Sequence, residues 1–360
     1  MNTEVPYSGL ERFIHRLVFM GKALPSTAID IENSTYKEAF QGANAANPIF
    51  ITSLPRAGTT ILLEALHLHP DVATHTYRDM PLVMAPMYWD RFSSSFRKTE
   101  TRHERAHGDG IEIGYDSPEA FEEILWKYFH TDQFKGERIP CLSSLDQNPE
   151  ALPFFRDHFK KIATLRRPGH ADQARYASKN NGNISRIPLL QKMFPDGTFV
   201  IPFRDPLEHA ASLHRQHISL GKLQTESKFA KRYMADIGHF EFGPLHKPIA
   251  FTGMNTVCEL YDPSNLNYWL GYWICAFEHL VNAGDDHTLY VSFEELGRRP
   301  QDIYTSLTAK LGLSEGSAIA AGVEKFKAPP SPRVSDKAFD ASMVSKATSI
   351  HNKLNTLSIS

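Results

Sequence analysis

The sequence predicts an α/β fold with three layers, a central parallel sheet of about five strands and an inserted lid of helices and loops. Short segments that are predicted to be strands, at residues 48–52, 175–179 and 198–203, alternate with longer segments of helical pattern. This alternation is typical of a parallel sheet with helices on both faces. The first strand also leads through a glycine-containing loop directly into a helix.

The first elements follow from local patterns. Residues 9–22 carry apolar side chains at helical spacing and a second helix is predicted over 28–40, so residues 1–45 form N-terminal helices. The strand, loop and helix from residue 48 onward begin the core, and Pro70 ends that helix before a short strand predicted over 72–77. The first part of the core therefore covers residues 46–83.

Residues 84–170 depart from the alternation and are predicted to form a lid or acceptor-binding insertion over the strand ends. A helix is predicted to start at Ser117-Pro118-Glu119, which offers an N-cap, a proline in the first turn and an early acid. His103 and His107 can be considered as a metal pair or a base. Because the chain holds 17 histidines, ordinary loop residues are the favoured interpretation.

The second part of the core is predicted over residues 171–315. It contains strands at 175–179 and 198–203 and a helix at 187–194, and Asp205 is predicted to cap the helix that Pro206 opens. The polar residues 216–250 are predicted to be loops. The remaining predicted elements are an apolar core helix at 268–277, a helix at 300–311, and a C-terminal extension over 316–360 that is peripheral from residue 334.

Composition limits the class of protein. The chain has 360 residues, 41% hydrophobic and 22% charged, and no composition shift divides it, so one domain over residues 1–360 is predicted. A net charge of −2 and a pI near 6.8 argue against a nucleic-acid partner. The three cysteines favour buried free thiols over disulfides or a metal site. Without a leader or an apolar run of 18 residues, a cytoplasmic protein with no membrane span is expected.

The loop after the first strand predicts an anion site. It leaves the first N–H groups of a helix unpaired beside the strand's carboxyl end, where Arg56 adds a forked positive charge. Compared with the nucleotide P-loop pattern, Ser53 replaces the first glycine and Thr59 replaces the lysine. A P-loop-like fold is therefore predicted without ordinary phosphoryl-transfer chemistry. The alternative is a simple strand-to-helix turn capped by Thr59 and Thr60.

These residues resemble the sulfotransferases that use 3′-phosphoadenosine 5′-phosphosulfate (PAPS), especially the protein-tyrosine and bacterial branches. The family's 5′-phosphosulfate loop is matched by six residues, Pro55, Arg56, Ala57, Gly58, Thr59 and Thr60. Its 3′-phosphate motif is matched by Arg204 at a strand end and Ser212 on the next helix. Residues 289–296 resemble the family's last strand and helix start. The resemblance implies PAPS as cosubstrate, adenosine 3′,5′-bisphosphate as product, and no metal.

Catalytic roles are implied by the same resemblance. The protein-tyrosine branch takes its general base from the region after a similar His-Pro-Asp-Val, where Asp79 is the nearest carboxylate, with a structural ion pair to Arg78 as the alternative. A lysine loop in that branch matches Lys179, which would contact the transferring sulfonyl group with Arg56. Lys327 and Arg333 are possible substitutes for a basic triplet that the family uses at the 3′-phosphate.

The predicted reaction is sulfonyl transfer to a hydroxyl or amine. The acceptor can be a small molecule, a saccharide, a lipid or a peptide, because neither charge nor aromatic content distinguishes them. Two alternatives remain open at this point. One is a P-loop nucleotide kinase that has lost its lysine, and the other is a nucleotide-binding module without catalysis.

Overall fold

The computed structural model describes residues 15–16, 18–93, 116–327 and 334–360, together with the backbone of 103–104 and 112–113. The side chain of His103, the whole of His107 and Arg333, and half of the helix predicted over 9–22 lie outside the described residues. Within the described part, no helix is both long enough and apolar enough to cross a membrane.

The central sheet has five parallel strands: β1 (Ile49–Ile51), β2 (Val72–Ala73), β5 (Arg175–Lys179), β6 (Thr198–Phe203) and β7 (Thr288–Ser292). Their spatial order is β2-β5-β1-β6-β7, so β1 lies at the centre and pairs with β5 on one side and with β6 on the other. A separate antiparallel pair joins β3 (His103–Glu104) to β4 (Glu112–Ile113). The predicted sheet of about five parallel strands is confirmed.

Fourteen helices are described, and their bounds are as follows: α1 (Ala23–Phe40), α2 (Thr59–His67), α3 (Pro86–Ser93), α4 (Glu122–Phe129), α5 (Ala151–Arg166), α6 (Ile187–Met193), α7 (Pro206–Glu226), α8 (Lys228–Ile237), α9 (Met254–Leu260), α10 (Leu266–Ala283), α11 (Phe293–Arg298), α12 (Pro300–Lys310), α13 (Ser317–Val323) and α14 (Ala341–Leu357). Short 3₁₀ turns stand at Tyr77–Asp79, Thr131–Phe134, Asn181–Ser185, Gly243–Leu245 and Asp336–Ala338.

The alternation of side chains along β1 explains the three layers. Ile49 and Ile51 belong to the hydrophobic cluster formed with α2, α12 and α13. Phe50 belongs to the larger cluster formed with α5, α6 and α10 on the opposite face. Because successive strand residues point to opposite faces, a strand covered on both faces needs apolar side chains throughout, and all three residues of β1 are fully buried.

Residues 84–170 do not form one separate lid. Helix α5 lies against the sheet, where Phe155 and Phe159 are fully buried and the ring of Phe159 stacks on that of Tyr176 at 3.9 Å between centroids. This helix connects β2 to β5 across one face of the sheet, which is the place of a core crossover helix. Only parts of the segment, including Glu119 and Ile139, reach the cavity described below.

Two other predictions were wrong. Residues 216–250 are largely helical, because α7 continues to Glu226 and Ser227 caps α8 by accepting a hydrogen bond from the Ala230 amide. The tail from residue 334 is not peripheral. Helix α14 packs against α10 with Ala347 and Leu354 fully buried, and the amide of Ile359 donates to the carbonyl of Tyr290 in β7.

All three cysteines are free thiols in the structure. Cys275 is buried, whereas Cys141 and Cys258 are half-buried. Burial raises the pKa of Cys141 and of Cys275 to about 11, which leaves both thiols protonated at neutral pH. These side chains therefore act as small apolar groups in the core.

Candidate active site

The loop between β1 and α2 has an unusual backbone. Arg56 has a φ of 71° and Gly58 a φ of 97°, so two residues of one short loop occupy the left-handed region. Gly58 also faces the ring of Phe293, where an added Cβ would lie 2.7 Å from Cδ2. A side chain at position 58 is therefore opposed by both backbone strain and a clash. The loop ends at Gly58, the N-cap of α2, and no side chain caps the first amides of this helix.

The second predicted motif lies beside this loop. Arg204 follows β6, and Asp205 caps α7 by accepting hydrogen bonds from the amides of Leu207 and Glu208, both at 3.0 Å, which confirms the predicted cap. Ser212 is one and a half turns further along α7. The Nε of Arg56 donates to the Oγ of Ser212 at 3.5 Å. The two motifs, distant in sequence, thus meet at one place in the fold.

His209 also contacts the loop, a role that the sequence analysis did not assign. Its ring is fully buried and its Nε2 lies 2.8 Å from the carbonyl oxygen of Pro55. Burial, together with the nearby charge of Arg204, lowers the pKa of His209 to about 3. The ring is therefore neutral and donates its Nε2–H to Pro55. No sequence signal separates this histidine from the other sixteen, because its role depends on which face of α7 meets the loop.

The environment of Arg204 suits an anion. Its guanidinium packs over the ring of Phe293, with Cζ 5.1 Å from the centroid, and burial lowers the pKa of Arg204. Among the described residues, the Nε of Arg204 and the hydroxyls of Thr52 and Ser53 are buried without a hydrogen-bond partner. Buried donors of this kind are normally satisfied, so these atoms offer unused hydrogen-bonding capacity at the strand ends.

Lys179 ends β5 and pairs in register with Ile51, the last residue of β1. This register places Lys179 at the same edge of the sheet as the anion loop. The polar residues that follow it link this strand end to its neighbours. Asn181 accepts a hydrogen bond from the hydroxyl of Thr59 at 3.3 Å, and Asn180 donates to the carboxylate of Glu123 at 2.7 Å.

A cavity of about 260 Å³ opens at this edge of the sheet. The predicted site residues on its wall are Pro55, Arg56, Gly58, Thr59, Thr60, Lys179 and Arg204. Ala57 is fully buried behind the wall, and Ser212 contacts Arg56 from α7. Lys327 is exposed at the end of a described segment and is not on the wall.

Asp79 lies elsewhere, in a buried polar cluster. Strand β2 ends at Ala73 rather than near residue 77, and Asp79 stands in the following 3₁₀ turn with a side chain only 2% exposed. It forms an ion pair with Arg166 of α5 and accepts a hydrogen bond from His75 Nδ1 at 2.9 Å. Burial alone would raise the pKa of Asp79, but Arg166 and His75 outweigh it and hold the pKa well below its usual range. The structure does not bring Asp79 to the cavity, and the alternative partner Arg78 pairs with Asp116 instead.

Two other carboxylates do line the cavity, Glu119 and Glu123. Glu119 is half-buried and accepts hydrogen bonds from the hydroxyl of Tyr77 at 2.5 Å and from the amide of Ala120 at 2.6 Å. Glu123 is 5% exposed and forms an ion pair with the fully buried Arg186 at 2.8 Å. The sequence analysis took Glu119 for the first turn of a helix, but α4 begins only at Glu122.

The turn that holds Asp79 also positions Glu119. The amide of Glu119 donates to the carbonyl of His75 at 3.0 Å, and the amide of Tyr77 donates to the carbonyl of Ser117 at 3.2 Å. Residues 75–79 and 117–119 therefore run side by side. The region predicted to supply a base thus supports a carboxylate 40 residues further along the chain.

Comparisons with known proteins agree with this geometry. A model described as the sulfotransferase family matches residues 48–241, which is more than half of the chain. No curated protein sequence matches the chain. Among solved structures, sulfotransferase STF9 from Mycobacterium avium is similar over 100% of this chain and 88% of its own, with 12% identity and a TM-score of 0.55.

Two further solved structures are similar at lower scores. Sulfotransferase STF1 from Mycobacterium tuberculosis matches 98% of this chain and 88% of its own, with 14% identity and a TM-score of 0.47. A sulfotransferase from Alicyclobacillus acidocaldarius matches 87% of this chain and 96% of its own, with 14% identity and a TM-score of 0.44. The likeness to STF9 supports the fold, and the family match together with the two converging motifs leads to one conclusion: this chain belongs to the sulfotransferase family.

Proposed function

We propose that this protein transfers a sulfonyl group from PAPS to a hydroxyl or amine of an acceptor. The observation that carries the proposal is the meeting of the two motifs, with the Nη1 of Arg204 3.4 Å from the carbonyl oxygen of Arg56. PAPS carries a phosphosulfate at one end and a 3′-phosphate at the other, so a site for it needs two groups of cationic and N–H donors side by side. Arg56 with the N-terminus of α2 forms one such group, and Arg204 with Ser212 forms the other.

The residues present fit this ligand. A phosphosulfate accepts hydrogen bonds from backbone amides at a helix N-terminus, which Thr59 and Thr60 offer at the start of α2. A 3′-phosphate suits the unpartnered Nε of Arg204, because an arginine can donate two parallel hydrogen bonds to one phosphate. The family match supports the same cosubstrate.

The proposed chemistry uses three side chains of the cavity wall. PAPS supplies the sulfonyl group and leaves as adenosine 3′,5′-bisphosphate. The acceptor oxygen forms a bond to sulfur while the bond from sulfur to the phosphate oxygen breaks, and the acceptor proton passes to the carboxylate of Glu119. Lys179 and Arg56 stabilise the charge that grows on the sulfonyl and phosphate oxygens.

Glu119 is the proposed base because it combines a place on the wall with partial exposure. Glu123 is less suited, since it is only 5% exposed and its carboxylate forms an ion pair with the fully buried Arg186. Its proposed role is to hold the segment after Lys179. Asp79, which the sequence suggested as the base, is proposed instead to stabilise the fold through its contacts with Arg166 and His75.

Calorimetric titrations test the cosubstrate. The proposal expects binding of adenosine 3′,5′-bisphosphate and much weaker binding of ADP or of ATP with Mg²⁺, because neither carries a 3′-phosphate. Transfer of label from PAPS to a metabolite extract then separates an enzyme from a nucleotide-binding module. Tighter binding of ATP with Mg²⁺ than of the bisphosphate would instead support the alternative of a nucleotide kinase.

A further inference from the structure

The cavity extends from the anion loop into an apolar region. Its wall there is formed by Leu220 of α7, Met234 of α8, Trp269 of α10, and the segment that carries Phe240, Phe242 and Ile249. Each of these side chains is at most 8% exposed. This apolar surface is formed by four separate parts of the chain, so it is created by the tertiary fold.

The polar groups on this wall are already used within the protein. Gln224 donates from Nε2 to the carbonyl of Phe242 at 3.1 Å, and its Oε1 accepts from the amide of Leu245 at 3.2 Å. The indole N–H of Trp269 donates to the carbonyl of Pro263 at 2.8 Å. The indole N–H therefore has no spare capacity for a ligand, and Gln224 uses both N–H groups of its amide, because Nε2 also lies 3.3 Å from the sulfur of Met234.

Four further polar residues lie on the wall. The hydroxyl of Tyr272 accepts from the amide of Ile249 at 3.3 Å. Lys247 donates from Nζ to the carbonyl of Phe134 at 2.7 Å and also lies 5.1 Å from the centroid of the Phe240 ring. His239 and Glu241 are half-buried and keep contact with solvent. The deep part of the cavity thus presents mainly carbon, and its remaining polar capacity lies in the O–H of Tyr272, in Lys247 and in the half-buried His239 and Glu241.

We infer that the acceptor is a small apolar alcohol or phenol whose single hydroxyl reaches Glu119 and whose hydrocarbon body fills this region. The inference rests on the proposed function and names its acceptor class. A saccharide would bury most of its hydroxyls against these six apolar side chains, and each hydroxyl left unpaired opposes binding. The whole cavity, including the part beside the anion loop, is about 260 Å³, which favours a small acceptor in the apolar region.

An acceptor panel with saturating PAPS tests the class. The panel contains 2-naphthol and 1-hexanol as apolar acceptors, and N-acetylglucosamine and a tyrosine-containing acidic peptide as polar ones. We expect kcat/KM for at least one apolar acceptor to exceed that of both polar acceptors by about 100-fold or more, because a site built for carbon leaves polar groups unpaired. The ratio of 2-naphthol to 1-hexanol distinguishes an aromatic from an aliphatic body.

A pair of variants on α7 tests whether the apolar wall is responsible. Leu220 is buried on the wall, whereas Ile218 is 41% exposed on the same helix. Leu220→Gln should lower kcat/KM for the preferred apolar acceptor by about tenfold or more, and Ile218→Gln should leave it unchanged. If Leu220→Gln fails to fold, Leu220→Ala serves instead and should shift the preference toward a bulkier naphthol.

The outcomes separate the inference from the proposed function. Binding of adenosine 3′,5′-bisphosphate with transfer only to a polar acceptor, or with no transfer to either apolar one, overturns the acceptor class and leaves the cosubstrate assignment standing. Equal losses in Leu220→Gln and Ile218→Gln also overturn it. Absence of bisphosphate binding and of all transfer would instead remove the proposed function itself.

Discussion

The Nη1 of Arg204 lies 3.4 Å from the carbonyl oxygen of Arg56, although the two residues are 148 positions apart. This contact joins the end of β6 to the loop after β1, and these two strands are neighbours at the centre of the sheet. The contact is long for a hydrogen bond, so it adds little energy and mainly fixes the relative position of the two residues. Its consequence is that two cationic side chains share one side of the cavity.

Replacing Arg204 by Ala should weaken binding of adenosine 3′,5′-bisphosphate by about 2–4 kcal/mol, because the 3′-phosphate loses charge-assisted hydrogen bonds. Calorimetry on the folded variant measures the loss. Arg215 is the matched control, since it is an exposed arginine on the same helix, α7. Arg215→Ala should bind within about 0.5 kcal/mol of the wild type. Unchanged affinity in Arg204→Ala would contradict the assignment of the 3′-phosphate site.

Gly58→Ala should reduce both stability and bisphosphate affinity. The substitution strains a backbone at φ 97° and pushes the ring of Phe293, over which Arg204 packs. Gly312 provides the control, because it has a φ of 66° and nothing within 4 Å of an added Cβ. Gly312→Ala should cost stability alone, about 1–3 kcal/mol in urea unfolding. Equal bisphosphate affinity in the two variants would show that the contact with Phe293 does not shape the site.

Lys179→Ala should lower the rate of sulfonyl transfer by about 10²–10³ and weaken bisphosphate binding much less. The reason is that the charge which Lys179 stabilises grows only as the bond from sulfur to oxygen breaks. Single-turnover transfer at saturating PAPS, beside calorimetry of the same variant, separates the two effects. Lys192→Ala, an exposed lysine of α6, should match the wild type in both. Near wild-type transfer by saturated Lys179→Ala would assign this lysine to binding or to the surface.

Asp79→Asn and Glu119→Gln should behave in opposite ways. Asp79→Asn leaves Arg166 as a buried charge without its carboxylate partner, so it should lower the free energy of unfolding by about 3–5 kcal/mol. Its turnover per folded molecule should stay close to that of the wild type. Glu119→Gln should keep stability and lower turnover by about 10²–10⁴, the range for loss of a general base. Urea unfolding measures the stability of both variants, and turnover is measured at a temperature where both are folded. If Asp79→Asn lost turnover and Glu119→Gln lost only stability, Asp79 would be the base instead of Glu119.

The pH dependence of stability should report the buried ring of His209. In the unfolded chain a histidine takes up a proton near pH 6.5, whereas in the folded protein His209 stays neutral down to about pH 3. Between these two pH values the unfolded state binds more protons than the folded state. The contribution of His209 to the free energy of unfolding therefore falls as the pH is lowered, by at most about 1.4 kcal/mol per pH unit. Above pH 6.5 the contribution does not change.

His209→Asn removes this component of the pH dependence. Urea unfolding of the wild type and of the variant at pH 7 and pH 5 should therefore give a smaller loss on acidification for the variant, while the other buried histidines act equally in both proteins. Parallel losses would mean that His209 is protonated in the folded state, in conflict with the low pKa that burial gives this ring.

The sequence alone determined the central sheet and the position of the two predicted anion motifs at its strand ends, because both depend on local rules. A run such as Ile49–Ile51 is buried on both faces wherever it folds, and Asp205 followed by Pro206 caps a helix through its own neighbouring amides. Parallel strands then carry the residues at their carboxyl ends to one edge of the sheet. That rule predicted Arg56, Lys179 and Arg204 on one side, and the structure places all three on the cavity wall.

Only the tertiary structure decided which carboxylate and which histidine stand beside them. Asp79 turns into the interior because β2 ends early and Arg166 and His75 bind it there, and Glu119 reaches the wall because its segment pairs with the same turn. The contact between His209 and Pro55 depends on the rotation of α7 against the loop. These outcomes follow from packing between segments distant in sequence, and no periodicity within one segment encodes the position of another.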